Sequence, residues 1–134
     1  MATYGQQITA TFKAGQDLSD KQYRVVKSSA SVAKECLLAD TAGTSSLGIL
    51  QNDPKVGEEA VVCVFGFSKA YVNTEATAST ITVGGHVQVC GSTGGVTGLG
   101  TVSASAWSVG EAFTAASSGS GQLIEILVRP TKIG

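Results

Sequence analysis

Residues 123–128 have the sequence Leu123-Ile124-Glu125-Ile126-Leu127-Val128. Leu123 and Leu127 flank Glu125 on one side of an extended chain, while the three remaining apolar side chains lie on the opposite side. This alternation, rich in β-branched residues, predicts a β-strand. Pro130 has no amide hydrogen to donate, so we expect the strand to end just before it.

Short apolar runs between turn-forming residues predict more strands along the chain. The 17 glycines, with only two prolines, are typical of many turns that join short strands. Residues 31–40 contain helix-forming side chains as well, but a segment this short is marginal for a helix, and a strand is favoured there. The predicted strands are Tyr23–Val26, Glu35–Ala39, Leu47–Leu50, Ala60–Phe65 and His86–Cys90.

The strand that begins at Leu123 has an earlier counterpart in the chain. Gly110 corresponds to Gly48, Gly119 to Gly57 and Leu123 to Val61, and the number of residues between the two members is the same in all three pairs. A constant spacing of this kind indicates an internal repeat. We therefore predict an all-β chain of two similar β-halves, about four strands each, that close into one compact barrel or sandwich.

The start of the chain stands apart from this repeat, and we expect an extended N-terminal arm over residues 1–18 before a single β domain over residues 19–134. Within the arm, alternating side chains have the β-propensity of a strand. Such a segment can pair within its own fold or add a strand to the sheet edge of a partner. The candidate contact residues are Gln6, Gln7, Ile8, Thr9, Ala10, Thr11, Phe12 and Lys13.

The composition narrows the classes of partner. Charged residues are 14% of the chain and the net charge is −1, which argues against nucleic-acid binding because that affinity comes largely from lysine and arginine. There is no run of about 20 apolar residues to span a membrane, and no secretory signal pattern at the start. We expect synthesis in a reducing cytoplasm, with Cys36, Cys63 and Cys90 as small buried side chains.

The sequence contains few residues suited to chemistry. His86 is the one histidine, and no nucleophile-elbow motif is present. The carboxylates Asp17, Asp20, Glu58 and Glu59 lie in predicted turns, and the glycine-rich residues 91–100 lack a phosphate-loop lysine, so we expect a surface loop there. We predict no catalytic residue, no cofactor, no metal site and no enzymatic activity.

Five blocks of the sequence carry a family resemblance: residues 15–27, 47–54, 57–66, 109–112 and 122–128. Together they resemble the capsid decoration, or cement, proteins of tailed bacteriophages. They cover about two thirds of the chain and are hydrophobic patterns, not catalytic signatures. The longer segment before Gly15 and the stretch from Asn73 to Gly100 depart from the family pattern.

The resemblance implies a β-barrel-like protein that forms a homotrimer on the outer surface of an expanded icosahedral head. It also implies that the major capsid protein is the partner and that the bound trimer stabilises the shell against internal DNA pressure. Trp107 is the candidate subunit-interface residue, with core packing as its alternative. Two other functions stay open: another structural virion part, such as a tail-tube or head-fibre base module, and a small carbohydrate-binding β-module that uses Trp107 and Tyr71.

Overall fold

In the part of the chain that the structure describes, nine β-strands form one continuous sheet. A computed structural model describes residues 6–41, 43–74, 80–90, 93–98, 107–117 and 121–132. No helix occurs in these ranges, so the all-β prediction is confirmed. The strands are β1 (Gln7–Ala14), β2 (Val25–Ser28), β3 (Glu35–Leu38), β4 (Gly48–Leu50), β5 (Glu59–Tyr71), β6 (His86–Cys90), β7 (Gly95–Gly98), β8 (Trp107–Ala112) and β9 (Leu123–Lys132).

The first half of the chain closes into a five-stranded barrel. Its strands lie in the order β1-β3-β2-β4-β5. β1 closes the ring because it pairs in parallel with β3 at Lys13 and Ala14 and antiparallel with the first part of β5. The predicted strand at Glu35–Ala39 is thus present as β3, since the residues alternate in burial as a strand requires.

The second half repeats this arrangement with the order β5-β9-β8-β6-β7. β5 runs through both halves: its first part pairs with β1 and β4, and its last part, from Gly66 to Tyr71, pairs with β9. Val72, the residue after β5, forms a parallel bridge with Val96 in β7 and closes the second ring. The end of β5 therefore has the same role in the second half that β1 has in the first.

Two glycines show how closely the halves correspond. Gly48 in β4 pairs with Val26 of β2, and a Cβ atom on it would overlap the Cys63 carbonyl oxygen in β5. Gly110 in β8 pairs with Val87 of β6, and a Cβ atom there would overlap the Leu127 carbonyl oxygen in β9. The repeat of two β-halves is thus a property of the fold.

The spacing of the repeat is not constant along the chain. The step from Val26 to Val87 is one position shorter than the step from Gly48 to Gly110. Val128 of β9 pairs with Gly110, and its counterpart in the first half is Val64. The step from Val64 to Val128 is two positions longer than the step from Gly48 to Gly110. The predicted match of Val61 with Leu123 is therefore two positions out of register. Gly119, the third predicted match, lies outside the described residues.

Two clusters of buried side chains form the core. One fills the first barrel and includes Leu18, Val26 and Val62. The other fills the second barrel, but it also contains Val25, Ile49 and Cys63 from the first half. Because neighbouring residues in these strands point to opposite faces, the same strands line their own barrel and pack against the other one.

The structure corrects the predicted end of the last strand. β9 continues through Pro130 to Lys132. The pairing between β8 and β9 shifts at this point, so that Val109 alone lies opposite Arg129 and Pro130. A β-bulge of this kind leaves one residue without a ladder bond, and proline is tolerated there because it has no amide hydrogen to lose.

The glycine-rich segment is also different from the prediction. Residues 95–98 form the buried strand β7, not a surface loop. An added Cβ on Gly95 would lie 2.9 Å from the Cα of Asn73, and one on Gly98 would overlap the Thr80 carbonyl oxygen. Glycine is needed at both positions because another backbone segment passes directly over them.

Residues 6–18 of the predicted N-terminal arm belong to the barrel. β1 pairs with β5 from Gln7 to Lys13, and Leu18 is fully buried in the first core. Of the two possibilities for this segment, the structure shows pairing within its own fold. Without β1, β3 would not be joined to β5 and the first barrel would be open. Residues 1–5 lie outside the described ranges.

Candidate interaction surface

The side chains that could act in catalysis or bind a ligand do not form a site within the described ranges. The His86 Nδ1 atom lies 3.0 Å from the Ser108 Oγ atom, but Ser108 is 1% exposed and its hydroxyl donates to the Gly110 carbonyl at 3.1 Å. The serine hydroxyl hydrogen is thereby engaged and the oxygen is inaccessible to a substrate. The pair connects β6 to β8.

The turn carboxylates have local structural roles. Asp17 accepts hydrogen bonds from the Ser19 hydroxyl at 2.6 Å and the Ser19 amide at 3.0 Å, and these bonds hold the pKa of Asp17 below its ordinary value. Glu58 accepts a bond from the Lys55 amide at 2.7 Å. Both are typical turn interactions.

The three cysteines are all buried. Burial raises the pKa of the Cys36 thiol and of the Cys63 thiol. Among the described residues no cluster of three or more histidine, cysteine, aspartate or glutamate side chains is placed to hold a metal ion. The described part of the chain also has no helix with the length and apolar character to cross a membrane.

The outer edge of β1 offers main-chain groups to a partner. The Ala14 amide donates to the Glu58 carbonyl at 2.9 Å, on the side of β5, whereas the Lys13 amide donates to the Lys34 carbonyl at 2.8 Å, on the side of β3. Since alternate residues of a strand direct their main-chain groups to opposite sides, those of Thr9 and Thr11 point away from β5. β3 pairs with β1 only at Lys13 and Ala14, so no described strand lies opposite these groups.

A shallow cleft of about 320 Å³ lies beside this edge. It begins where β3 diverges from β1 and is open to solvent. Its lining residues are Thr11, Phe12, Lys13, Lys34, Gly57, Glu58 and Glu59. We call the main-chain groups of residues 7–11 that face this side the β1 edge.

The second half of the chain shows how such an edge is covered. β5 takes the place of β1 there, and its Phe67 amide donates to the Gln6 carbonyl at 3.2 Å. The Gln7 side-chain amide donates to the Phe67 carbonyl at 2.7 Å. The corresponding edge of the first half, on β1, has no such cover from the described residues.

A second feature of the surface is a group of exposed and half-buried apolar side chains. Phe67, Leu127 and Leu123 alternate with buried residues on β5 and β9, and Phe67 lies opposite Leu127. The rings of Phe67 and Phe113 are 5.3 Å apart between centroids. Phe65 precedes Phe67 on the same face of β5 and lies opposite Ile8 of β1. We call these six side chains the apolar face: Ile8, Phe65, Phe67, Phe113, Leu123 and Leu127.

The exposure of this group is unusual for side chains of this size. Ile8 is 60% exposed, Phe65 47%, Phe113 48% and Leu123 47%. Contiguous exposed apolar side chains mark interaction sites more often than scattered ones do. Sequence reasoning missed the apolar face because its members come from distant parts of the chain. The available signal was that Phe65 and Phe67 lie at the end of the predicted strand Ala60–Phe65 and just beyond it.

Trp107 is half-buried at the start of β8, opposite Lys132, and its amide donates to the Gly43 carbonyl at 3.0 Å. Tyr71 lies at the far end of the sheet, opposite Leu123, and the Arg24 guanidinium covers one face of its ring. Almost the whole length of β9 separates the two positions, about 30 Å at the usual rise of a strand. The two rings therefore cannot form one carbohydrate platform.

The fold and surface define an all-β module of two fused barrels with an open strand edge and an apolar face. No protein-family model matches the chain, and no curated protein sequence matches it. Among solved structures, the chain is similar to the N base of the head fibre gp8.5 of bacteriophage phi29. The TM-score is 0.63 at 18% sequence identity, and the match covers 96% of this chain and 99% of the phi29 chain. This likeness shows a shared fold over the whole module.

Proposed function

We propose that this protein is a structural component of a tailed-phage virion that binds the outer surface of the expanded head as a homotrimer. In this role it is a decoration protein that stabilises the shell against internal DNA pressure. The observation that carries the proposal is the likeness of the whole chain to the base of a phage head fibre. The inaccessible hydroxyl of the His86–Ser108 pair agrees with a role in binding.

The candidate shell contact is the β1 edge, within the predicted contact residues 6–13. An extended segment of the major capsid protein that lies along this edge would accept and donate main-chain hydrogen bonds at Thr9 and Thr11. The edge has no proline and no charged residue from Gln7 to Phe12. It thus lacks the devices that commonly prevent an edge strand from pairing with another chain.

A trimer strengthens this contact by multivalency. Each β1 edge gains only a few hydrogen bonds, and each of these contributes about 1 kcal/mol net. Three edges held in one particle bind together, because the second and third contacts form at a high effective concentration. A three-fold particle also matches the local three-fold positions of an icosahedral shell.

Thr11→Pro tests this contact with little effect on the fold. Proline removes the outward amide hydrogen of Thr11, which faces no described strand, and its ring blocks an added strand. We expect binding to expanded, undecorated heads to fall about 10-fold or more in a co-sedimentation assay. Thr11→Val is the matched control because it keeps the amide hydrogen and a β-branched side chain, and it should bind as the unmodified protein does. Equal binding by both variants would contradict a main-chain contact at this edge.

A base for a head fibre is the second candidate function, favoured by the phi29 likeness. Both functions need attachment to the head, but a base also carries a projecting part. Cryo-electron microscopy of virions that contain the protein separates them. Density that ends at the height of two small β-barrels supports decoration, whereas a projection above the barrels supports a fibre base.

A further inference from the structure

We propose that the apolar face is the contact between copies of this chain. This inference rests on the homotrimer of the proposed function and names the surface that forms it. Around a three-fold axis, each apolar face would lie against the neighbouring copies. The main-chain groups of the β1 edge would then stay free for the shell.

The first support is the kind of side chain on this face. Phe65, Phe67 and Phe113 are three of the four phenylalanines of the chain, and none of them belongs to either buried core cluster. Aromatic side chains are enriched at protein interfaces, and contacts between identical subunits have especially apolar centres. Exposed phenylalanines outside the core are therefore better explained by a contact between subunits than by folding.

The second support is the balance of charge around these side chains. Arg129 forms an ion pair with Glu111, and Lys69 lies directly opposite Glu125 in the pairing of β5 with β9. These charges lie among the apolar side chains, since Glu125 lies between Leu123 and Leu127 on one face of β9 and Glu111 lies opposite Leu127. Two cations and two anions give this face no net charge. A surface that meets its own copy must avoid like-charge repulsion, and the balance of cations and anions on this face meets that requirement.

The third support is that most of this surface lies away from the shell contact. Phe113, Leu123 and Leu127 belong to the second half, and neither β8 nor β9 pairs with β1. Ile8 lies on β1, but it contributes its side chain to the apolar face, whereas the β1 edge consists of main-chain groups. A cement protein needs one surface for its own copies and one for the shell. The two features found on the described surface are suited to these two tasks.

The test is the oligomeric state of the full chain by sedimentation velocity. We expect the unmodified protein to be a trimer, and Phe113→Lys with Leu123→Lys to raise the dissociation constant of that trimer about 30-fold or more, as loss of an interface hot spot does. Val56→Lys is the matched control because Val56 is 64% exposed and lies outside the apolar face. It should leave the trimer intact.

Circular dichroism melting shows whether each variant is folded, and Leu123→Lys alone replaces the double variant if the latter is not. A folded lysine variant that stays trimeric would overturn the inference, and so would an unmodified protein that is monomeric at all concentrations. A trimer that dissociates on substitution at the apolar face but does not bind heads would support the inference and contradict the proposed function. The two failures are therefore distinct.

Discussion

The Arg24 guanidinium carbon lies 4.0 Å from the centre of the Tyr71 ring and connects the two halves of the fold. Arg24 precedes β2 in the first half, and its Nη1 atom donates to the Thr93 carbonyl in the second half at 2.9 Å. The Tyr71 amide donates to the Tyr23 carbonyl at 2.9 Å. Tyr23 itself has a φ of 69°, a left-handed conformation that costs about 1–2 kcal/mol in a residue with a side chain.

Arg24→Lys should destabilise the protein by about 1–2 kcal/mol, because lysine keeps the charge but loses the flat stacking on Tyr71 and the hydrogen bond to Thr93. Urea denaturation measures the change. Arg129→Lys is the control, since Arg129 is exposed and its surface ion pair with Glu111 contributes about 0–1 kcal/mol. Equal losses in the two variants would contradict a special role for the Arg24–Tyr71 contact.

Gly110→Ala should destabilise the fold by about 3 kcal/mol or more, because the added methyl group overlaps the Leu127 carbonyl oxygen in a buried sheet. Gly48→Ala should have the same effect in the first half. Gly84→Ala is the control: Gly84 has a φ of 81° and open space around it, so only the backbone cost of about 1 kcal/mol applies. Thermal unfolding ranks the three variants, and a milder effect at Gly110 than at Gly84 would refute the tight approach of β8 to β9.

Cys36 and Cys63 should not react with iodoacetamide in the native protein at mildly alkaline pH. Both are fully buried, and burial raises the pKa of each thiol, which lowers the fraction of reactive thiolate. Mass spectrometry of peptides after labelling with and without denaturant measures this protection. Rapid native labelling of either cysteine would show that the barrel interiors are open to solvent.

Ser19→Ala should raise the pKa of Asp17 toward its ordinary value of 3.8. The Ser19 hydroxyl is the largest cause of the lowered pKa, followed by the Ser19 amide. Because the folded pKa is below the unfolded one, the stabilisation by this carboxylate is present above the ordinary pKa and is lost as the pH falls through the folded value. NMR titration of the carboxyl carbons measures the change. The pKa of Asp40, which is lowered chiefly by Lys27, serves as the internal control and should not move.

Strands with regular alternation were predictable from the sequence. β6 has the predicted bounds because the apolar side chains of His86–Cys90 alternate with polar ones between turn residues. The strand at Ala60–Phe65 was found, but it continues to Tyr71. Gly66 and the polar residues after it resemble the end of a strand, and only the three-dimensional pairing with β9 shows that the strand goes on.

The residues missed by prediction depend on contacts between distant parts of the chain. β7 was predicted as a loop from its glycines, although Gly95 and Gly98 are glycines because of the backbone that passes over them. The apolar face could not be predicted from periodicity, since each strand contributes only one or two of its members. The β1 edge follows from where β3 diverges from β1, which no local pattern records.

The most direct test of the proposed function is the binding of the purified protein to expanded, undecorated heads of tailed phages. We expect saturable co-sedimentation, with bound copies that approach a multiple of three for each local three-fold position, and heads that resist disruption better once the sites are filled. Failure of the folded protein to bind such heads at any concentration would contradict the account.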